Sequence, residues 1–300
     1  MPASRRKTVA RTRVLYTGES LAAAQAGVAR GHSLGLDACR PEQHEFRALL
    51  AFGYLNHGVD YDGPAGWHLS VLSSYTLNIS PRFERVVLIT KAPHNVASRL
   101  LCGPTGGNGL PGLRVEEHRG YGNYLLRHLP TGAQLVVTNN PSGTPAGARN
   151  DPYIDHLPMA TPLTSTEREQ LARVPSMTAE ARRLLAGVFC RITVSDPHGG
   201  WAIGNWFYDP LQRPGWLDSS HRPSHRRLHG AGDRWELEWE SHPYPDDLAA
   251  AMTHPIIGIP GAKLVSTADH LTITLGGASL CLRSRRAQSA VRPSLISATD

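Results

Sequence analysis

Long apolar runs are missing from this chain. No stretch approaches the ~18 consecutive apolar residues that a membrane-spanning helix needs. The basic N-terminus is not followed by the apolar stretch of a signal peptide. The sequence therefore predicts a soluble, cytoplasmic protein with no membrane partner. Lysine is nearly absent: of 31 basic side chains only Lys7, Lys91 and Lys263 are lysine. An arginine excess of this kind, with abundant Ala, Gly and Pro, is what a high-GC bacterial genome produces. Part of the net charge of +6 is then codon usage rather than phosphate chemistry, although guanidinium forks still favour carboxylate and phosphate partners. Cysteine is scarce and scattered. Cys39, Cys102, Cys190 and Cys281 form no Cys-x-x-Cys and no dense disulfide framework, which reads as reduced small hydrophobes. Catalytic signatures are missing too. There is no Gly-x-Ser-x-Gly elbow, no His-Glu-x-x-His helix and no Asp-x-Asp-x-Asp loop, and no cofactor motif is implied.

What is present is one design written twice. Residues 84–137 read as a strand, Pro93-x-x-Val96-Ala97, Gly109-Leu110-Pro111-Gly112 and further strands. Residues 235–282 read as a strand, Pro245-x-x-Leu248-Ala249, Gly258-Ile259-Pro260-Gly261 and strands again. Arg114-Val115 matches Lys263-Leu264, and Leu135-Val136-Val137 matches Leu280-Cys281-Leu282. The spacing between copies drifts by a few residues, as loop indels produce. Box, helix and strands recur in the same order, which favours duplication over a chance recurrence of turn signals.

The predicted fold is α+β: two similar strand-helix-strand-strand-strand modules (an internal duplication) with a small helical N-terminal segment. Residues 1–66 form a basic arm plus helices, 67–138 the first module, 139–187 a linker with helices, 188–282 the second module and 283–300 a tail. Within this frame residues 1–13 read as a mobile arm. Helices are expected over 19–30 and from Pro41, as a helical hairpin or part of a helix-turn-helix. Trp67, Leu69, Val71, Tyr75, Leu77 and Ile79 alternate as a strand or hairpin would. Thr164-x-x-Glu167 is a capping box, with a second helix over 178–186. Residues 188–194 read as a strand, 201–208 as a hairpin and 209–234 as a polar loop.

Paired modules of this element order are similar in topology to the vicinal-oxygen-chelate superfamily. The resemblance implies metal-binding His and Glu on the sheet faces. The first strands (Arg85–Thr90, Trp235–Glu240) carry no His and the last (Leu135–Asn139, Leu280–Arg283) no Glu, so the metal chemistry does not carry over.

Candidate chemistry is sparse. His221, His225 and His229 recur every four residues, which would stack three imidazoles on a helix. Pro223 breaks such a helix, and the segment reads as a basic loop, with no metal site predicted. Gly103–Gly109 resembles a phosphate cradle but follows a helix and precedes a strand, the reverse of a nucleotide loop. Asp196-x-His198 could join Cys190 and His242 at a metal, but a hairpin turn explains it better. Glu236, Glu238 and Glu240 share one strand face and read as solvated or paired to arginine. Trp201, Trp206, Phe207, Tyr208 and Trp216 read as core around a hairpin more than as base-stacking residues. The best partner signal is charge. Arg5, Arg6, Lys7, Arg11 and Arg13 in the arm, with Arg222, Arg226 and Arg227 in the loop, are the expected nucleic-acid contacts. The leading reading is a non-catalytic cytoplasmic binding protein engaging nucleic acid or an acidic protein partner through these residues and the intermodule groove. The alternative is a metal-assisted enzyme or small-ligand binder with its site between the modules.

Overall fold

A computed structural model describes residues 5–28, 35–56, 64–69, 76–101, 109–118, 122–143, 161–191, 226–239, 245–267 and 270–284. The first module opens with a hairpin, β1 (Thr76–Pro81) and β2 (Arg85–Thr90). It continues through α4 (Pro93–Leu100) to β3 (Leu113–His118), β4 (Asn123–His128) and β5 (Gln134–Thr138). The second repeats the plan with β6 (Arg226–Ala231), β7 (Arg234–Trp239), α7 (Pro245–Thr253), β8 (Lys263–Ser266), β9 (Leu271–Leu275) and β10 (Ala278–Ser284). The sheet orders are β1-β2-β5-β4-β3 and β6-β7-β10-β9-β8. In both, the last strand returns parallel to the second strand of the module, β5 to β2 and β10 to β7, and all other pairs are antiparallel.

The repeat extends to single residues. Val86 pairs with Leu135, and Leu135 with Leu126. In the same places Trp235 pairs with Leu280, and Leu280 with Ile273. The Gly-Pro boxes fold alike. Leu113 N–H donates to Leu110 O at 3.2 Å and Ala262 N–H to Ile259 O at 3.0 Å. Between them stand Pro at the second turn position and Gly at the third, with φ +83° at Gly112 and +86° at Gly261. That is the chemistry of a type II turn, whose third residue needs φ > 0. Each turn is pinned to its helix the same way: Leu110 N–H to Leu100 O and Ile259 N–H to Met252 O, both 2.8 Å. The internal duplication expected from sequence is therefore the architecture.

Two helices join the modules. In α3 (Pro41–Tyr54) the proline takes the first turn, where a missing N–H does no harm. In α6 (Ala179–Phe189) the Thr178 hydroxyl caps Ala181 N–H. The two pack along each other, with Tyr54 and Phe189 ring centroids 5.7 Å apart. One apolar core runs from Val86, Leu88 and Leu135 through α3 and α6 to Trp235, Leu237 and Leu280. Among the described residues the intermodule seam is thus apolar. Helix α5 (Ser165–Ala172) has the expected capping box, both halves formed. Its Glu167 reaches into the first module.

Three readings of the sequence need correction. Residues 5–17 are a helix, α1 (Arg5–Thr17), not a mobile arm. A short apolar face (Val9, Ala10) packs on Ala24 and Val28 beside helix α2 (Leu21–Gly27), and the surrounding charge concealed it. Residues 188–191 end α6 and its cap rather than begin a strand. Leu184, Leu185, Val188 and Phe189 bury one helical face, and Gly187 lets Ile259 approach where a Cβ would lie 2.3 Å from its Cδ1. Residues 226–231 are strand β6 rather than loop, because Arg226 and Leu228 point inward and Arg227 outward. In addition, α2 and α3 form neither hairpin nor helix-turn-helix. Ala23 of α2 sits on Val87, Ile89 and Val136, one face of the first sheet, while α3 packs on the face of Val86 and Leu88. Of the 67–79 alternation only β1 is strand among the described residues, with Trp67 and Leu69 buried against Gly53 of α3.

Candidate functional site

The predicted basic residues divide by burial. Arg5, Lys7 and Arg11 are exposed on α1 and Arg6 is half-buried. Arg6 turns back to donate to Val28 O at 2.8 Å. Arg5 and Arg11 have no partner among the described residues. Helix α1 has no acidic residue in its first turn, so Arg5, Arg6 and Lys7 sit at the positive end of the helix dipole. There each cation is disfavoured by roughly 0.3–1 kcal/mol. Fold stability alone does not favour that placement.

Arg13 is different. It is fully buried, and its guanidinium grips Glu19 through Nε at 3.0 Å and Nη2 at 2.9 Å, while Nη2 also donates to Pro81 O at 2.9 Å. Thr17 Oγ1 completes the set by donating to Glu19 Oε2 at 2.9 Å. Arg13 is thus the rivet that fixes the α1–α2 elbow to β1, and no phosphate reaches it. Gly27 belongs to this rivet, since a Cβ there would lie 2.3 Å from Arg13 Nη2. Arg226 is likewise buried. Its Nε donates to Tyr54 O at 2.9 Å, and burial pulls its pKa well below the usual arginine range. Arg227 is exposed on the outer face of the second sheet, opposite Glu238. Arg222 lies outside the described residues.

That outer face holds the second cluster. Glu236 meets Arg283 Nε at 2.7 Å and His229 Nε2 at 3.9 Å. Glu238 lies in register with Arg227 on one side and Arg283 on the other. Of the carboxylates read from sequence as a solvated or arginine-paired face, Glu236 is paired across strands and Glu238 stands between two arginines in register, as opposite charges on neighbouring strands favour. His229 stands on β6, not on a helix; His221 and His225 lie outside the described residues, as do Glu240, Asp196, His198, His242, the tryptophan-rich segment 201–216 and Gly103 to Asn108. Among the described residues no group of three or more His, Cys, Asp or Glu side chains could hold a metal ion.

The thiols offer no nucleophile at the seam. Burial pushes Cys39 up to about 12, against the opposing pull of Arg47. Burial raises Cys190 as well, and Arg47 Nη1 stands 3.7 Å from its sulfur. Both thiols stay protonated at neutral pH. The polar groups near the seam are fasteners. Arg191 is fully buried, and its two ends meet both Asp37 oxygens at 3.0 and 2.8 Å. It also donates to Ala251 O, Gly187 O and Ile257 O. Burial would strip its charge, but the Asp37 carboxylate outweighs that and keeps Arg191 protonated. One side chain thereby ties the segment before α3 to the ends of α6 and α7.

Sequence reasoning missed Arg13–Glu19 and Arg191–Asp37 as structural pairs because it read arginine as surface charge. No local spacing announces Arg191–Asp37. Arg13 and Glu19 are close enough in sequence that an elbow at Gly18 (φ +66°) would have suggested their pairing. No helix among the described residues is long and apolar enough to cross a membrane. No family model matches the chain, and neither a curated protein nor a solved structure matches it. The fold therefore defines the class: a two-module α+β protein whose described seam is apolar and whose first sheet carries a docked cationic helix.

Proposed function

We propose that this is a non-catalytic cytoplasmic binding protein of a high-GC bacterium that engages a polyanion, nucleic acid first, through the exposed cations of α1. The observation that carries the reading is the cluster of Arg5, Arg6 and Lys7 in the first turn of α1, with Arg11 one turn on. They are held on a docked helix and placed against its dipole. Phosphate contacts of this kind position a protein without reading sequence. Arg227 on the second sheet is a further cation that a long polyanion would meet. The alternative of a ligand or metal site between the modules has less support, because the described seam is apolar.

The test is fluorescence anisotropy of labelled single- and double-stranded DNA and RNA across a salt series, for the wild type and the triple variant Arg5→Ala, Lys7→Ala, Arg11→Ala. Binding should weaken steeply with salt. The triple variant should lower the slope of log K against log [salt] by about one per phosphate contact removed. Absence of binding at low salt, or a slope unchanged by the variant, overturns the reading. Surface substitutions suit this test better than deletion of 1–66, which would strip Ala23 from Val87 and Ile89 and remove α3 from the core.

A further inference from the structure

Each sheet has two outer strands, and within the described residues three of the four are covered by the chain itself. On β1, Arg13 bonds Pro81 O and Asn78 Nδ2 donates to Thr17 O at 3.2 Å. On β6, the Asn56 amide substitutes for a strand neighbour: Nδ2 donates to Leu228 O at 3.0 Å and Oδ1 accepts from Leu228 N–H at 3.2 Å. On β3, the segment leading into α5 lies against Arg114. That arginine donates to Thr161 O at 2.9 Å, to Pro162 O at 3.0 Å and to both Glu167 oxygens at 2.7 Å. Gly112 N–H of the type II turn adds a bond to Glu167 Oε1 at 2.8 Å. Burial alone would raise the Glu167 carboxyl, but Arg114 and the Thr164 and Gly112 N–H groups outweigh it and hold it at about 2.

The fourth outer strand is β8, the counterpart of β3. Its register places Lys263 where Arg114 stands and Gly261 where Gly112 stands. Nothing described fills the position of Glu167. Leu264 is 44% exposed, whereas its counterpart Val115 is 2% exposed. A Cβ on Gly112 would meet Pro130 at 2.9 Å and Leu163 at 3.0 Å, while one on Gly261 would meet only Leu275 at 3.5 Å. The Lys263 ammonium and the Gly261 N–H have no partner among the described residues. Among the described residues the strand edge is open as well. Thr267 N–H bonds His270 O, and antiparallel pairs alternate between bonded and non-bonded. Leu264 and Ser266 therefore turn their N–H and C=O groups away from β9.

We propose that β8, with Lys263 and the Gly261 N–H, is a docking site for an extended acidic segment of a partner protein. The segment adds as a strand along Leu264 and Ser266 and presents a carboxylate to Lys263 and Gly261, as Glu167 is presented to Arg114 and Gly112. The internal duplication supplies the template for the carboxylate, which in the first module comes from the first turn of α5. The outward N–H and C=O groups of Leu264 and Ser266 call for the strand, and the charge of Lys263 selects its sign. Strand addition gives affinity through backbone bonds and selectivity through side chains. Lysine is a point charge rather than a fork, so it takes one carboxylate oxygen and the backbone N–H the other. An extended peptide satisfies both the strand edge and the cation; a nucleic acid satisfies only the cation.

The probe is a fluorescent peptide of the chain's own residues 161–168, Thr-Pro-Leu-Thr-Ser-Thr-Glu-Arg, titrated with the full-length protein. Saturable binding is expected below about 1 mM. It should weaken about tenfold with Lys263→Glu, and about tenfold when the peptide glutamate is replaced by glutamine, as loss of one charge-assisted bond implies. Carbodiimide cross-linking followed by mass spectrometry should join that glutamate to Lys263. No saturation by about 1 mM, binding unchanged by Lys263→Glu, or displacement by an oligonucleotide each overturns the proposal. The last outcome would mark Lys263 as a general anion contact. A negative result here leaves the α1 salt series unaffected, because that experiment reads different residues.

Discussion

Strand β2 reads Val86-Val87-Leu88-Ile89, and its counterpart β7 reads Trp235-Glu236-Leu237-Glu238. The inward positions are apolar in both (Val86 and Leu88; Trp235 and Leu237) and belong to one core. The outward positions part company. Val87 and Ile89 lie under Ala23 of α2, while Glu236 and Glu238 stay half-exposed within a cross-strand charge lattice. A one-residue slip would swap every inward side chain for an outward one, so the inward set specifies the shared register. The outward set decides whether a sheet is sandwiched or ends at water. Among the described residues the first module is closed on both faces and both edges, and the second keeps one charged face and the β8 edge. The duplication gave one plan, and the described segments outside it cover the first copy more fully than the second.

The largest break in this comparison is at the carboxylate clamp. Arg114→Ala strands Glu167 in a site where both side chains are nearly fully buried. Losing one partner of such a pair costs about 4 kcal/mol. Lys263→Ala at the equivalent, exposed position should change stability by less than about 0.5 kcal/mol. Urea denaturation of the two variants measures the difference, and equal losses would refute the asymmetry.

The next largest effect is on acid stability. His128 is buried where the second module has Leu275. Burial lowers its pKa to about 4, and Phe46 packs on the ring at 5.3 Å. Pro111 O, 3.1 Å from Nε2, can only accept, so Nε2 carries the proton and Nδ1 accepts from Thr131 Oγ1 at 2.9 Å. The folded state resists a second proton that the unfolded state takes up near pH 6.5, so stability rises with pH across this window. It falls as pH drops from 6.5 towards 4, by about 3 kcal/mol for a shift of this size. His128→Leu, which copies the second module, should flatten the slope in that window whatever it does to stability at pH 7. Glu167 acts lower. Its stabilisation is complete above pH 4.5 and is lost as pH falls through about 2.

Much of the fold was legible because the repeat carries backbone chemistry. Pro93 and Pro245 open helices, and the two Gly-x-Pro-Gly boxes are superposable turns with the same bonds. The run Val86–Ile89 and the alternation Trp235–Glu240 also announced one more and one less buried strand. The helix α1 was not legible, because Arg13 looks like surface charge until Glu19 folds beside it. Strand β6 was hidden by its arginines, one of which points inward beneath Tyr54 O. Val188, Cys190, Ile192 and Val194 fall on alternate positions, but Val188 and Phe189 also satisfy the helical face of α6, and the helix wins through its packing on α3. Of the candidate site, the exposed cations of α1 and Arg227 were legible as charge. The β8 site was within reach, since Arg114-Val115 aligns with Lys263-Leu264. What the alignment could not reveal is that Glu167 comes from outside the repeat.

A smaller contrast tests the two turns. Alanine at Gly112 or Gly261 must adopt φ near +85°, a strain of about 1 kcal/mol. At Gly112 the new methyl also collides with Pro130 and Leu163, raising the expected loss to about 2–3 kcal/mol. At Gly261 only the strain remains. Thermal denaturation should therefore rank Gly112→Ala well below Gly261→Ala. Equal melting temperatures would mean that the covering segment 161–167 yields easily, and that the two turns differ less than their surroundings imply.

The smallest effect is expected on the charged face of the second sheet. Glu236→Val copies Val87 of the first module and removes the contacts to Arg283 and His229. Arg283 is 52% exposed, and an exposed pair of this kind contributes about 0–1 kcal/mol, further screened by salt. Valine also suits a strand, so the variant should fold with stability within about 1 kcal/mol of wild type and lose its salt dependence at this face. Its cost appears elsewhere. An apolar residue on a sheet face that no described residue covers invites association, which sedimentation velocity at rising protein concentration would detect. If the variant associated no more than wild type and lost several kcal/mol instead, the Arg283–Glu236–His229 lattice would be a structural element of the second module, equivalent in weight to the α2 cover of the first.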